Sequence, residues 1–373
     1  MTKTARNGAI EGKFSVIEDK RHQSYVEHRL TDVLILIMSA VLCGLDGLAE
    51  IVEHATNRAD FFRINYGIEE IPSKATMSRI LNMLDGDALS KVIIEIMKER
   101  ADVIGNIIAV DGKAIRSTSK EGEAHSALQI LTAYLTESSV VLGQEAIHSK
   151  TNEIPVLQAM LNLLDIKGKT ITADAMHCQK ETCKKIAEAG GHYVFGLKEN
   201  QKTLYEDVAL FINDPINADS IEKFTTTEKS RGRYEKRTCF KVADISWMEG
   251  HEGWSGLKTV FAIRRTAISK GKTSDEICYY ITSAEVSAEE LLRIVREHWK
   301  IEAMHWILDV VFSEDKCAIA SENGQKTLNI LRKLALLIHK RYIASLTKKI
   351  TVKASLLKCL MNDALLVQVL ASL

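Results

Sequence analysis

Apolar residues follow two periodicities along this chain, and the change from one to the other falls near residue 101. Before it, apolar positions recur at helical spacing. Residues 30–45 form a nearly continuous apolar stretch, read as one buried helix that Gly44 and Gly47 bring to an end. Within it the longest apolar run, 33–45, is interrupted by Ser39 and bounded by Asp32 and Asp46, so it is too short to cross a bilayer. A more polar segment, 51–63, follows. Pro72 and Ser73 then supply a helix start, with Ile80, Leu81 and Leu84 as the buried face. Carrying Lys74 and Arg79, that helix reads as an ordinary amphipathic helix or as the second helix of a helix-turn-helix entering a DNA groove.

Beyond residue 101 the signal turns to strands. Ile107, Ile108, Ala109 and Val110 make a buried-strand run, and 127–135 and 140–147 are two more strands joined by the polar turn Glu137-Ser138-Ser139. A helix at 154–164, a short strand at 170–173, a helix at 179–189 closed by Gly190 and Gly191, a strand at 193–197 and a helix at 201–212 come next. Three successive strands followed by alternating helix and strand predict an α/β fold, a mixed sheet flanked by helices. Short strands at 224–227, 236–245, 259–268 and 277–283, punctuated by Gly232, Gly250, Gly253, Gly256 and Gly271, mark a β-rich insertion over about 215–286. From Ala288 the pattern is helical again. The expected organisation is an N-terminal helical module (1–100), a core (101–345) and a C-terminal helical segment (346–373).

Composition narrows the class. The chain has 373 residues, 46% of them hydrophobic, which suffices for two or three modules with real cores. Only three prolines occur, which excludes Pro-rich and low-complexity folds. Basic and acidic residues balance at 49 each, so a nucleic-acid binder of this composition must concentrate its basic residues locally. Seven cysteines, odd in number and without a C-x-x-C pair, fit free thiols in a reducing cytoplasm better than zinc or disulfides. The first six residues lead into no apolar stretch, so no signal peptide and no membrane association are expected.

Two aspartates share a local logic. Asp111 follows Ala109-Val110, and Asp174 follows Thr170-Ile171-Thr172-Ala173, each placed where a strand is expected to leave the sheet. That edge of an open α/β sheet is where ligands bind, although a single Asp there is more often a turn residue. On neighbouring strands the two carboxylates would repel unless a cation held them, and hard oxygen ligands select Mg²⁺ or Mn²⁺. A third acid comes from the helix expected over 297–312, where Ile301, Met304, Leu308 and Val311 form the apolar stripe and His298, Glu302, His305 and Asp309 a polar one. A solvated face with i,i+4 pairs, or a His/Glu zinc or di-iron site, are other readings of that stripe; no H-E-x-x-H motif occurs and no other helix supplies a matching set for the latter. Two Asp and one Glu around two divalent ions suit in-line attack at phosphate.

At these residues the sequence resembles the DDE transposases of bacterial insertion sequences, and more narrowly the H-repeat-associated transposase group. The resemblance rests on Ala109-Val110-Asp111-Gly112-Lys113-Ala114-Ile115-Arg116, Lys150-Thr151-Asn152-Glu153-Ile154-Pro155, Thr172-Ala173-Asp174-Ala175-Met176-His177-Cys178-Gln179, Tyr193-Val194-Phe195-Gly196-Leu197-Lys198-Glu199-Asn200-Gln201 and His298-Trp299-Lys300-Ile301-Glu302-Ala303-Met304-His305-Trp306. Leu42-Cys43-Gly44 and Ile71-Pro72-Ser73 are similar to the helical module that precedes the core in that group. The resemblance implies a ribonuclease-H-like fold with a β-rich insertion and the acidic triad Asp111, Asp174 and Glu302, which would be both the catalytic residues and the metal ligands. It also implies Mg²⁺-dependent cleavage and strand transfer on double-stranded DNA, at the element's terminal inverted repeats and at a target, and assembly as a homodimer on paired ends. Broader relatives carry Tyr-x-x-Arg-x-x-x-Glu-x-x-x-x-x-x-Lys, where this chain has Val295, His298, Glu302 and Asp309; His177 stands where a glycine is usual.

Candidate DNA contacts cluster around these positions. Lys113 and Arg116 lie just past Asp111, and Lys198 and Asn200 leave the same sheet edge. Arg233 and Arg237 belong to a basic run with Lys229, Arg231, Lys236 and Lys241 against one acid, Glu235; Arg264, Arg265, Lys270 and Lys272 add to it. Basic hairpins of this kind suit backbone contact, with a solvated charged face as the plain alternative. His298 could take over part of the missing arginine's role, and Trp299 could stack on an unpaired base, although a tryptophan is ordinarily buried. A helix over 328–349 with Leu331, Leu334, Leu337 and Ile338 inward would turn Arg332, Lys333, Lys340, Arg341, Lys348 and Lys349 to the other face. Against an active transposase stand three competing readings: a DNA-binding remnant without catalysis, a general ribonuclease-H-like nuclease, and a zinc hydrolase.

Overall fold

The computed structural model describes residues 12–372 apart from 23, 25, 46, 101–102, 120–126, 148–152, 231, 270 and 320. The first six residues, Asp46, Lys150, Thr151, Asn152, Arg231 and Lys270, which the sequence singled out, lie outside the described residues. Five helices open the described chain: α1 (Leu30–Leu42), α2 (Leu48–Asn57), α3 (Ala59–Tyr66), α4 (Lys74–Met83) and α5 (Gly86–Arg100). Helix α1 buries eleven of its residues, and Gly44 closes it at φ 79°, a left-handed conformation that favours glycine. The segment expected as one helix over 51–63 is split at Arg58, whose φ of −118° departs from helical values. Ser73 caps α4 by accepting the Thr76 N–H, and Lys74, Ala75, Arg79 and Asn82 are left on its exposed side.

The core is one nine-stranded sheet in the order β3-β2-β1-β4-β5-β9-β8-β7-β6. Its strands are β1 (Ile107–Ile115), β2 (Leu128–Leu135), β3 (Val140–Ile147), β4 (Thr170–Ala173), β5 (His192–Leu197), β6 (Glu222–Ser230), β7 (Arg233–Val242), β8 (Thr259–Ser269) and β9 (Lys272–Thr282). Only β1–β4 and β4–β5 pair in parallel. The paired stretches of those central strands are rich in apolar and β-branched residues because both their faces are covered, and all four residues of β4 are buried. The crossovers contribute α6 (Glu153–Leu161), α7 (Lys180–Glu188) and α8 (Lys202–Asn213). The β-rich segment is no separate layer, since β9 pairs with β5 and β8, β7 and β6 extend the same sheet.

Four more helices follow: α9 (Ala288–Val310), α10 (Glu322–Ser345), α11 (Val352–Met361) and α12 (Asp363–Leu370). Among the described residues, no helix is long and apolar enough to cross a membrane. The seven cysteines carry free thiols. Helix α10 corrects the expectation of a one-sided amphipathic helix. Every residue from Gly324 to His339 is buried, because α10 runs between the sheet and helices α1, α4 and α5. Arg332 and Lys333 therefore sit in the interior rather than on a DNA-facing surface. Arg332 pairs at 3.2 Å with Glu314, itself 0% exposed, and Lys333 reaches Thr132 at 2.9 Å and Gln144 at 2.8 Å.

Glu314 is the anionic centre of this interior. It faces Arg332, pairs with Lys113 at 3.0 Å and accepts a hydrogen bond from Asn329 at 2.9 Å. Burial alone would raise its pKa, but the two cations outweigh that and hold it at about 2. Burial pushes Lys333 down to about 7, against the pull of Glu314.

Glu314→Gln strands two buried cations and should cost about 3–5 kcal/mol, measured as a lowered unfolding midpoint in urea. The wild-type carboxylate is depressed from 4.5 to about 2 on folding, so its contribution is complete above pH 4.5 and is lost as pH falls through about 2. Glu314→Gln should flatten that acid limb by about 3 kcal/mol. An acid limb of unchanged slope would show that Glu314 does not carry it.

Candidate active site

The parallel ladder between β1 and β4 pairs Ile107 with Thr170 and ends at Val110 opposite Ala173. The next residue on each strand is an aspartate, so Asp111 and Asp174 leave the ladder abreast, at strands roughly 4.8 Å apart. Asp174 sits at the strand end, as the spacing predicts, and precedes a short 3₁₀ turn, Ala175–His177. Asp111 does not. Strand β1 continues to Ile115, because the longer antiparallel β2 still pairs with it and sets Asp111 opposite Thr132. The sheet opens at Asp111 on the β4 side alone.

Helix α9 begins where Ser287 accepts the Glu290 N–H, and it crosses β1 and β4 on one face. Its polar stripe meets the strands in sequence. His298 Nδ1 lies 2.9 Å from the Thr172 hydroxyl, His305 Nδ1 lies 3.2 Å from Asp111 Oδ2, and Asp309 Oδ1 lies 2.7 Å from Lys113 Nζ. Thr172 is two residues before Asp174 and Lys113 two after Asp111, so these partners share the faces of the two aspartates. Glu302 is the stripe member with no hydrogen bond or ion pair among the described residues. Its pKa is raised, first by partial burial and then by repulsion from Asp111 and Asp174. Burial lowers His298, and the same two aspartates pull it the other way.

Beside this stripe opens a cleft of about 490 Å³, lined by Asp174, Tyr280, His298, Trp299 and Glu302 among others. Among the described residues, no three ligating side chains converge tightly enough to enclose an ion as they stand. The donor chemistry nevertheless fits a hard cation. The unengaged groups are carboxylate oxygens that repel one another, a charge that divalent ions relieve. The Nδ1 atoms of His298 and His305 are engaged by Thr172 and Asp111.

The expected DNA contacts divide. Lys113, 8% exposed, is held by Asp309, Glu314 and Asp315, and although burial opposes its charge these carboxylates raise its pKa. It therefore braces the interior and leaves little for a phosphate. The Arg116 side chain is exposed, 3.7 Å from Asp315. Lys198 lines the cleft with Asp174, and Asn200 donates to the Ala175 carbonyl at 2.8 Å, steadying the turn after Asp174. Arg233 and Arg237 line an adjoining hollow of about 430 Å³ with Arg265, Arg296 and Trp299. Buried Glu235 orders it, taking ion pairs from Arg233, Arg237 and Arg265. Trp299 is 60% exposed, which corrects its reading as a core residue, and Trp306 is exposed as well.

Glu153 stands in one of the segments that carry the resemblance, where no role is read for it. Its carboxylate lies against Gly112, where a Cβ would come within 2.8 Å of it, and 3.6 Å from His177 Nε2. His177 is 1% exposed. The pairing of a glycine after Asp111 with a glutamate at 153 is the only sequence trace of this contact.

Residues 104–338 match the family model described as transposase DDE domain, and residues 12–97 match a model for the region associated with it. The chain is 36% identical to YncI of Escherichia coli O157:H7, over 86% of this chain and 85% of that protein. It is 34% identical to the H repeat-associated YhhI of Escherichia coli K12, over 86% and 88%. Both relatives have the word transposase in their names.

Crowding of like charges gives Glu302 a measurable signature. With its pKa raised on folding, the ionised side chain costs stability at neutral pH, and the cost disappears as pH falls below the unfolded value. Glu302→Gln should therefore raise the thermal midpoint of the metal-free protein, by less at high salt. A lowered midpoint would mean that Glu302 supports the fold.

Proposed function

The chain belongs to the DDE transposase family, and on that premise we propose that it cuts and joins DNA at a site formed by Asp111, Asp174 and Glu302. The observation that carries this reading is Glu302, which lines the cleft with Asp174, has no hydrogen-bond or ion-pair partner among the described residues, and has its pKa raised by burial and then by repulsion from Asp111 and Asp174. Two Mg²⁺ or Mn²⁺ ions bound by these carboxylates would activate a water or a 3′-hydroxyl and stabilise the leaving oxygen. The central five strands with their crossover helices suit a ribonuclease-H-like core over 101–345, to which β6–β9 add a basic extension.

In this reading the protein's own groups position the substrate. Lys198 and Arg116 flank the carboxylates and would hold the phosphates on either side of the cut. Arg233 and Arg237, ordered by Glu235, would track the backbone farther out, giving salt-dependent affinity with little sequence reading. Trp299 offers an open aromatic face between the two hollows, while His298 and Asn200 act close by through Thr172 and the turn after Asp174. The helical module up to residue 100 presents Lys74, Arg79 and Asn82 on α4 to a DNA groove. The substrate is double-stranded DNA bearing the element's inverted repeats, gripped by a homodimer that brings two ends together, with 346–373 closing the fold.

A second reading, a DNA-binding relative without catalysis, draws on one observation: Asp111 is engaged by His305, and the ligand set is not closed. Cleavage separates the two. In Mg²⁺, a duplex carrying the repeats that flank the reading frame should be nicked, and Asp111→Asn, Asp174→Asn and Glu302→Gln should each lower the rate by about 10³-fold or more, as the loss of several kcal/mol of charge stabilisation requires. Undiminished cleavage by Asp111→Asn would remove this site from consideration. End-binding without cleavage by the wild-type protein would favour the second reading.

A further inference from the structure

Asp111 has a difficult position. It lies in the middle of β1, beside Asp174 and across from Glu302, both of like charge. Nothing in the strand itself fixes the carboxylate, and repulsion from its neighbours would turn it outward, toward the quarter of its side chain that is already exposed. Its only ion pair or hydrogen bond among the described residues is with His305, whose Nδ1 stands 3.2 Å from Oδ2.

His305 is itself well fixed. It is 8% exposed, one turn beyond Glu302 on α9, and one turn before Asp309, which Lys113 anchors to β1. Its other ring nitrogen, Nε2, is buried without a hydrogen-bond partner. A buried orphan nitrogen is a cost that packing alone does not justify, and among the described residues the ring's one polar contact is the one with Asp111.

We propose that His305 is a positioning residue: it pins one oxygen of Asp111 so that the other remains turned toward Asp174 and Glu302 for a divalent ion. The proposal rests on the carboxylate site put forward above. It assigns the polar stripe of α9 a division of labour, with His298 and Asp309 stitching the helix to the strands, His305 aiming an aspartate, and Glu302 left free. Partners that orient metal-binding groups typically change metal affinity by about 10–100-fold when removed.

The test is Mn²⁺ binding without DNA, followed by loss of the free-ion electron paramagnetic resonance signal, on the full-length wild type, H305A, H305N and D111N. H305A should bind Mn²⁺ about 10–100-fold more weakly, whereas H305N, whose amide nitrogen can occupy the place of Nδ1, should recover most of the affinity. A purely structural role would not be rescued in this way. If H305A does not fold, H305N against H305Q carries the same comparison, since glutamine sets its amide near the Nε2 position, away from Asp111. H305A (or H305Q) binding as tightly as wild type, or more tightly, overturns the proposal. D111N distinguishes the two levels. If D111N loses Mn²⁺ and the histidine variants do not, His305 alone is misassigned. If D111N binds like wild type, the carboxylate site falls and the proposal with it.

Discussion

The parallel pairing of β1 with β4, which stops after Val110 and Ala173, is the constraint on which the candidate site depends. A one-residue slip would turn one aspartate to the opposite face of the sheet. Three facts hold the register. Both strands are buried on both faces, β1 is locked on its other side by the long antiparallel β2, and β4 is locked by β5. Once the aspartates stand side by side, the polar stripe of α9 meets partners on the two strands, His298 with Thr172, His305 with Asp111 and Asp309 with Lys113.

The arrangement works against itself locally and is braced from a distance. Asp174 and Glu302 line one cleft, and burial together with repulsion from Asp111 and Asp174 raises the pKa of Glu302, which costs the metal-free fold stability. The opposing attraction lies one layer deeper, where Lys113 joins Asp309 on α9 to Glu314, and Glu314 joins Arg332 on α10. A lysine two residues after Asp111 thus ties the mutually repelling acids to the most buried helix of the protein. Such strain at a site, compensated elsewhere, is common where function and stability compete.

Much of this was legible in the sequence, because the signals were local. The run before Asp111 and Asp174, the helical spacing of Ile301, Met304 and Leu308, and the hairpins between 222 and 282 each follow from short-range periodicity. What escaped depended on who lies opposite. The helix carrying Arg332 and Lys333 looked amphipathic because no local rule says that a buried glutamate eighteen positions before Arg332 will pair with it, or that Lys333 will find Thr132 and Gln144. Lys113 looked like a phosphate contact until Asp309 on α9 and Glu314 and Asp315 from the α9–α10 connection enclosed it. Trp299 looked like core because tryptophan usually is, and its exposure follows from α9 giving its sheet-facing side to Ile301, Met304 and Leu308. Glu153 carried no readable role because its partner, Gly112, has no side chain to reveal the contact.

The sheet does not break between β5 and β9. Backbone hydrogen bonds run without a gap from the edge strand β3 to the edge strand β6, so the basic outer strands and the acidic centre belong to a single plank rather than to two bodies on a swivel. The spacing from Arg233 to Asp174 is accordingly a fixed ruler. Anything long enough to touch both must supply the compliance itself, and a stiff polymer laid along that surface would meet the cost in its own curvature.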